Sequence, residues 1–323
     1  MPSIRNRRGI CLVTGGGGFI GSHIADRLLR EDYQVRVLDP YADRSCNLRH
    51  LEGQIEIVSA TSADEALSRE SLEGVDTLFH YAGAVLPAAS NDQPVADVLD
   101  HLANTLRLFV EAAESGVKTI VFASSGGTVY GIPKKLPISE IHPTNPISSY
   151  GVVKLALEKY LAILERKYGL RCIVLRYGNP YGPRQAPSPG FGAVATFAER
   201  LANRQPIEIW GDGSVRRDFI YIDDAIDATY NAFRYTGQER VFNIGSGTAT
   251  SLNDLVTTIQ LASGTKAKVV HRQARPSDVP EIALDIGRAE RELAWKPKTT
   301  LEAGISSTWQ WLDRKLVTQR LAG

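Results

Sequence analysis

The sequence predicts an α/β protein, a doubly wound parallel sheet with a smaller α/β domain behind it, on three observations. Short apolar runs alternate with longer helical patterns over the first 180 residues, a glycine-rich turn joins the first run to the first helix, and the chain becomes Pro- and Gly-rich and irregular after Asn179. Regular alternation favours parallel strands joined by crossover helices, because each such strand buries both faces and needs a helix to return.

The elements follow in order. Ile10–Val13, Val35–Asp39, Ile55–Val58, Thr77–His80, Thr119–Ala123 and Cys172–Arg176 are continuous apolar runs and read as buried strands. A helix is expected over Ser22–Arg30. Another is expected where Leu102, Leu106, Phe109, Val110 and Ala113 recur at helical spacing, with Gly116 at its C-cap. A further helix should begin near Ser149. Past Asn179 the cluster Pro180, Gly182, Pro183, Pro187, Pro189, Gly190 and Gly192 marks the change to shorter elements. The expected partition is 1–178, with about 218–245 returning to it, as a nucleotide-binding domain, and 179–217 plus 246–323 as a second domain. A ligand cleft is expected between them.

Composition narrows the function. In 323 residues, 37 basic and 36 acidic side chains leave a net charge of +1, so no charge excess points to nucleic acid, a membrane surface or a polyacidic partner. Cys11, Cys46 and Cys172 are widely spaced, without a CxxC pair, which suggests a reducing compartment and buried filler roles. The six histidines lack metal spacing, so no metal is expected, and His80 at a strand end reads as structural. With no secretory core and no long apolar run, the expectation is a cytoplasmic protein.

The strand Ile10–Val13 runs through Thr14-Gly15-Gly16-Gly17-Gly18-Phe19-Ile20-Gly21 into a helix, the strand, turn and helix of a Rossmann dinucleotide site. Glycines let backbone approach a pyrophosphate at the helix N-terminus. Asp39, at the end of the second strand and 18 residues after Gly21, can accept from the adenosine ribose hydroxyls and would repel a 2′-phosphate, which favours NAD over NADP.

Tyr150 and Lys154 lie four apart on one helix and present their side chains on one side. They follow the fifth strand and the segment Ser124-Ser125-Gly126-Gly127-Thr128-Val129-Tyr130-Gly131. A tyrosine must lose about three pKa units, roughly 4 kcal/mol, to serve as a base near neutrality. Lys154 and a positive nicotinamide would both favour the phenolate, and a nearby hydroxyl could hydrogen-bond the reacting oxygen. Later, Arg217-Asp218-Phe219 and Arg275-Pro276-Ser277-Asp278 supply guanidinium groups that could clamp a diphosphate.

With these pieces in order, together with His80-Tyr81-Ala82-Gly83, Arg176-Tyr177-Gly178-Asn179-Pro180 and Asn243-Ile244-Gly245, the chain resembles the UDP-glucose 4-epimerase branch of the extended short-chain dehydrogenases over nearly its whole length. The resemblance implies NAD held by Gly15, Gly18, Phe19, Ile20, Gly21, Asp39, Tyr81, Ala82, Gly83, Tyr150, Lys154 and Tyr177. It implies Tyr150 as acid/base and Lys154 on the nicotinamide ribose. Asn179 would contact the sugar-nucleotide phosphate, Arg217 and Arg275 the diphosphate, and Asp278 the uridine ribose. A homodimer is implied, through helices near 95–115 and 150–168.

Departures from the family pattern matter. The usual catalytic serine falls at Gly126, so Ser125 is the expected replacement, binding substrate as well, with Thr128 and Ser124 as its neighbours. An adenine-binding acid is missing at Ser59-Ala60-Thr61, His101 stands where asparagine is usual, and Ile282 replaces a tyrosine bordering the sugar, which would open the pocket to N-acetylhexosamines.

The implied activity is C4 epimerisation of a UDP-hexose through a 4-keto intermediate. A nucleotide-4-ketosugar reductase and a non-catalytic nucleotide-sugar-binding homologue are the alternatives. Gly126-Gly127-Thr128 lacks the acidic pair of a 4,6-dehydratase and the glutamate of a decarboxylase.

Overall fold

The computed structural model describes residues 8–83, 87–187, 192–275 and 278–322. Pro189, Gly190, Pro276 and Ser277, which the sequence reading used, lie outside them.

Strand β1 (Arg8–Thr14) leads through the glycine turn into α1 (Phe19–Arg30), then β2 (Tyr33–Leu38), β3 (Glu56–Val58), α2 (Glu65–Ser71) and β4 (Val75–His80). Helix α1 starts three residues before the expected Ser22, because Gly21 allows its first turn to pack on the loop: a Cβ there would lie 2.3 Å from the Gly15 carbonyl oxygen. Short helices α3 (Pro87–Asp92) and α4 (Pro94–Asp97) run into a π-helical turn, Val98–Ala103, and then α5 (Asn104–Glu114). The apolar spacing from Leu102 onward anticipated α5, and nothing in that spacing marked the π turn. Gly116, at φ +85°, follows α5 at the expected stop.

Strand β5 (Thr119–Ser125) precedes α6 (Ser149–Tyr168), whose N-cap Ser148 accepts from the Gly151 N–H and whose C-cap Gly169 is left-handed at φ 72°. Then come β6 (Arg171–Tyr177), β7 (Asn179–Tyr181), α7 (Ala193–Ala202), β8 (Ile207–Trp210), β9 (Arg216–Tyr221), α8 (Ile222–Arg234) and β10 (Val241–Ile244). The chain ends with β11 (Ala249–Ser251), α9 (Leu252–Ser263), β12 (Val269–Arg272), α10 (Gly287–Leu293) and α11 (Leu301–Ala322).

Seven strands form one sheet in the order β10-β6-β5-β4-β1-β2-β3. Its pairs β2–β3, β1–β2, β1–β4 and β4–β5 are parallel, as the alternating pattern required. The reversal of order beside β1 is the switch point at which doubly wound sheets bind ligands at their carboxyl ends.

The chain divides into two compact units. The first comprises residues 1–125, 148–176 and 229–242, and the second 126–147, 177–228 and 243–323. In the first, Leu12, Leu78, Phe122 and Val174 of the sheet pack with Leu108 and Phe109 of α5 and Leu157 and Leu161 of α6, all buried. In the second, β7 and β11 flank β9, and β8 pairs in parallel with β12. Phe197, Ile207, Leu255, Ile259 and Ile305 belong to its separate core. Asp218 is fully buried there and accepts from the Ser246, Gly247 and Leu284 N–H groups, so its carboxylate is a structural tie.

Cys11 and Cys172 are buried, as fillers should be, whereas Cys46 is exposed, which corrects that expectation for the third cysteine; all three are free thiols. Among the described residues no helix is long and apolar enough to cross a membrane, and no group of three or more His, Cys, Asp or Glu residues is placed to hold a metal.

Candidate active site

The first unit builds a cradle at the end of β1. Gly15 has φ +69°, and a Cβ on it would lie 2.7 Å from the Ala82 backbone nitrogen, so the turn presses directly on the strand end Tyr81-Ala82. The Tyr81 N–H donates to the Thr14 carbonyl at 3.0 Å, which fixes that approach. Gly18 is the N-cap of α1 and provides no capping side chain, and no acidic residue occupies the first turn. The leading N–H groups of a 12-residue helix therefore face the turn with its positive end exposed, with half-buried Phe19 and Ile20 beginning the helix.

Asp39 closes the cradle. It is 9% exposed; its Oδ2 accepts from Gly17 N–H at 3.1 Å and its Oδ1 from Tyr41 N–H at 2.8 Å. Each carboxylate oxygen is thus oriented while keeping lone pairs for a ribose diol. These residues fit a dinucleotide with an unphosphorylated adenosine ribose: an uncapped helix start, glycines that a Cβ would block, and a fixed carboxylate. After β3, Ala60 is 7% exposed where an acid was looked for, so no carboxylate is present at that position.

Tyr150 and Lys154 occupy the first two turns of α6, with the Lys154 Nζ 5.6 Å from the Tyr150 ring centroid. Lys154 is 6% exposed; its ammonium donates to the Ala123 carbonyl of β5 at 2.9 Å and lies 4.9 Å from the Phe122 ring centre. Burial pulls its pKa down to about 8 against the pull of Asp97 and Glu158, so it is a cation at neutral pH. Tyr150 moves the other way: burial, then the Asp97 charge, push its phenol up to about 12. The protein's own surroundings therefore favour the neutral phenol at Tyr150.

The serine stretch resolves into unequal hydroxyls. Ser124 is buried and donates to Glu158, which also takes two bonds from Arg176, at 3.0 and 2.6 Å. That commitment takes Ser124 out of contention as a reacting hydroxyl. Ser125, half-buried, ends β5 two residues beyond the Lys154 acceptor. In the second unit the Gly126 N–H donates to the Tyr177 carbonyl at 2.7 Å, and Thr128 Oγ1 is buried without a hydrogen-bond partner among the described residues. His80 donates or accepts at Thr14 Oγ1 over 2.8 Å and is fully enclosed, which drops its pKa to about 3 and leaves it neutral.

The second unit carries the other candidates. Tyr177 is 3% exposed at the end of β6, an enclosed position for a side chain expected to touch a cofactor. Asn179 opens β7 opposite Phe219 of β9. Arg217, on β9, donates to the Val279 carbonyl at 2.6 Å and stands 3.8 Å from Asp278. The Arg275 guanidinium lies 3.8 Å from the centre of the Trp210 ring, a stacked contact. Trp210 was not singled out from sequence; an aromatic residue at the end of a short strand carried the only signal. Ile282 is fully enclosed, at 0% exposure. A second group that sequence reading missed is Asp97, joined to α6 through Ser149 Oγ at 2.7 Å; its distance in sequence from Tyr150 hid it.

Comparison with known proteins gives the same picture. A model of the NAD dependent epimerase/dehydratase family matches residues 11–245. A UDP-glucose 4-epimerase of Mycolicibacterium smegmatis is 37% identical over 94% of this chain and 98% of that protein. A dTDP-4-dehydro-6-deoxyglucose reductase of Escherichia coli is 32% identical over 93% of this chain and 96% of its own length. Among solved structures, a UDP-glucose 4-epimerase of Thermotoga maritima with UDP-glucose superposes with a TM-score of 0.90 at 36% identity, covering 95% of this chain and 99% of that one.

Proposed function

The chain belongs to the NAD-dependent epimerase/dehydratase family, and from that premise we propose that it is a UDP-hexose 4-epimerase, acting on the UDP-glucose/UDP-galactose pair or the corresponding N-acetylhexosamines. The observation that carries the proposal is the Tyr150–Lys154 pair on α6, in the same unit as the glycine turn and Asp39, in a chain of which 94% is matched by a relative with that activity in its name.

The Gly15–Gly21 turn and Asp39 would hold NAD, whose chemistry when bound would be to accept and then return the hydride of the sugar C4. Tyr150 Oη removes the proton of the 4-hydroxyl and later returns it to the 4-keto sugar after the sugar has turned over. Lys154 stabilises the phenolate, and its ammonium is fixed by the Ala123 carbonyl. Burial and the Asp97 charge push the phenol up to about 12, so neighbouring cations would favour the phenolate: Lys154 is one, and a bound oxidised nicotinamide would add a second. Ser125 donates a hydrogen bond to the reacting oxygen. Thr128 is its rival, and Ser125→Ala against Thr128→Val, compared in kcat, decides between them.

On the nucleotide, Asn179, Arg217 and Arg275 hold the phosphates and Asp278 the uridine ribose. Firm anchorage there with few sugar contacts is what rotation of a ketosugar demands. The first unit is read as the NAD-binding part and the second as the sugar-nucleotide-binding part. A homodimer is proposed through the helical stretch from α4 to α5 and through α6, where Val95 of α4, Leu99 of the π-helical turn and Val152 and Ile163 of α6 are 72, 58, 52 and 55% exposed. Light scattering returning a monomer would remove it.

A second reading, reduction of a nucleotide-4-ketosugar, has the reductase relative in its favour and needs the same tyrosine and lysine. Incubation with UDP-galactose or UDP-N-acetylgalactosamine and NAD, without reductant, separates the two by proton NMR. Appearance of the gluco epimer with no net NADH is expected. Silence on both sugars, with NADH consumed on a ketosugar, would favour the reductase.

A further inference from the structure

A small cavity backs the Tyr150–Lys154 pair, lined by His80, Asp97, His101 and Thr105 besides Tyr150 and Lys154. Asp97 is the one carboxylate among these lining residues, and no step of the proposed reaction uses it. It is 4% exposed at the C-terminal end of α4, where a lone carboxylate would be costly. Its Oδ2 takes two hydroxyl donors, Ser90 from α3 and Ser149 from the first turn of α6, the latter at 2.7 Å and adjacent in sequence to Tyr150. The carboxylate is thereby fastened to the helix turn that presents the tyrosine.

We propose that Asp97 is a positioning residue for the Tyr150–Lys154 pair, a buried negative charge that acts as counter-charge to the Lys154 ammonium and opposes charge on Tyr150. Every group facing it bears on this assignment. From β4 comes His80, neutral in its enclosure. From the π-helical turn comes His101, whose Nδ1 would lie 3.2 Å from a Cβ on Gly83. Helix α5 contributes Thr105, α3 contributes Ser90, and α6 contributes Ser149, Tyr150 and Lys154. Glu158, one turn beyond Lys154, lies outside the cavity lining and is paired with Arg176 through two bonds, though its charge also favours the Lys154 ammonium. Its charge raises both members of the pair, in opposition to burial at Lys154 and together with it at Tyr150.

The consequence is directional. Asp97→Asn keeps an acceptor for both serines and deletes the charge, so Tyr150 and Lys154 should both titrate lower. The rate then needs Tyr150 to lose its proton at lower pH, and Lys154 loses its own at lower pH. Both limbs of the kcat profile shift together, by about one pH unit, and the bell slides acidward. Ser149→Ala breaks the tether and keeps the charge; it should lower the bell without sliding it.

The proposal rests on the catalytic reading of Tyr150 and Lys154, so its test includes a readout that needs no turnover. In the full chain labelled with ¹⁵N-lysine, with and without NAD, the Lys154 Nζ resonance should titrate about one unit lower in Asp97→Asn than in the parent. Asp97→Ser, should the asparagine variant fold poorly, has the same expected shift. An unmoved resonance makes Asp97 a mere tether of α6 and overturns the proposal, whether or not the chain epimerises a sugar. A moved resonance in a chain that turns over no sugar nucleotide upholds the placement of charge and refutes the epimerase instead.

Discussion

The charged groups proposed for the site are held differently in the two units. In the first, Asp97, Lys154, Glu158 and Arg176 are each 6% exposed or less and Asp39 is 9%, every one fixed by named hydrogen bonds. In the second, the groups proposed for the diphosphate and ribose are more open, with the Arg217 and Asp278 side chains 20 and 33% exposed. Buried charges act on one another through a low dielectric and are intolerant of change, whereas half-exposed ones are screened and adjustable. On the proposed function this difference would go with chemistry in the first unit and capture in the second, and it can be broken by experiment.

The largest effect should come from Tyr150→Phe. Loss of the phenol removes the only proton carrier assigned to the reaction, and kcat should fall by about a thousandfold or more, while NAD stays bound because the glycine turn and Asp39 are untouched. Cofactor retention is read from the absorbance of the dinucleotide released on denaturation. Activity near that of the parent would break the assignment of chemistry to the first unit.

How far such roles could be read from sequence follows the same division. The strands of the first unit are buried on both faces, so their apolar runs were continuous, and the glycine turn carried its own signature: Gly15, Gly21 and Asp39 could be named because backbone approach and strand-end position restrict residue type. Strand ends were off by one or two residues, as at β5, which reaches Ser125, since hydrogen bonding and not apolarity decides where a ladder stops. The π-helical turn at Val98–Ala103 left no mark because its spacing mimics an α-helix over so few residues. Ser124 and Ser125 are neighbours with the same side chain, and only the pairing of Ser124 with Glu158, 34 residues away, separates them. The full enclosure of Ile282 was not legible either, because a position in a motif does not tell which way a side chain is enclosed. The Arg275–Trp210 stack joins β8 to the segment after β12 across 65 positions, beyond any local pattern.

Next in size is the contrast between two ion pairs. Arg176 and Glu158 meet at 2.6 Å with side chains 5 and 4% exposed, whereas Arg272 and Glu208 meet at 2.8 Å with Arg272 54% exposed. Glu158→Gln leaves a buried guanidinium without its counter-charge and also disturbs the Ser124 bond. It should cost about 3 kcal/mol, read as a clear fall in melting temperature. Arg272→Ala should cost less than about 1 kcal/mol. Equal losses would show that burial does not separate the two units' charges as argued.

The smallest effect sharpens the assignment of capture. Trp210 supports the Arg275 guanidinium at 3.8 Å from the ring centre, so the aromatic face orients a cation that would otherwise sample several rotamers. Trp210→Ala should loosen that arginine and weaken its hold on a diphosphate by about 1 kcal/mol, seen as a KM for the UDP-sugar raised about fivefold. kcat should stay within a factor of two, because ground-state binding is lost without touching Tyr150 or Lys154. The rise in KM should shrink at high salt, where a screened diphosphate gains less from any arginine. A fall in kcat at unchanged KM would instead place Trp210 with the chemistry.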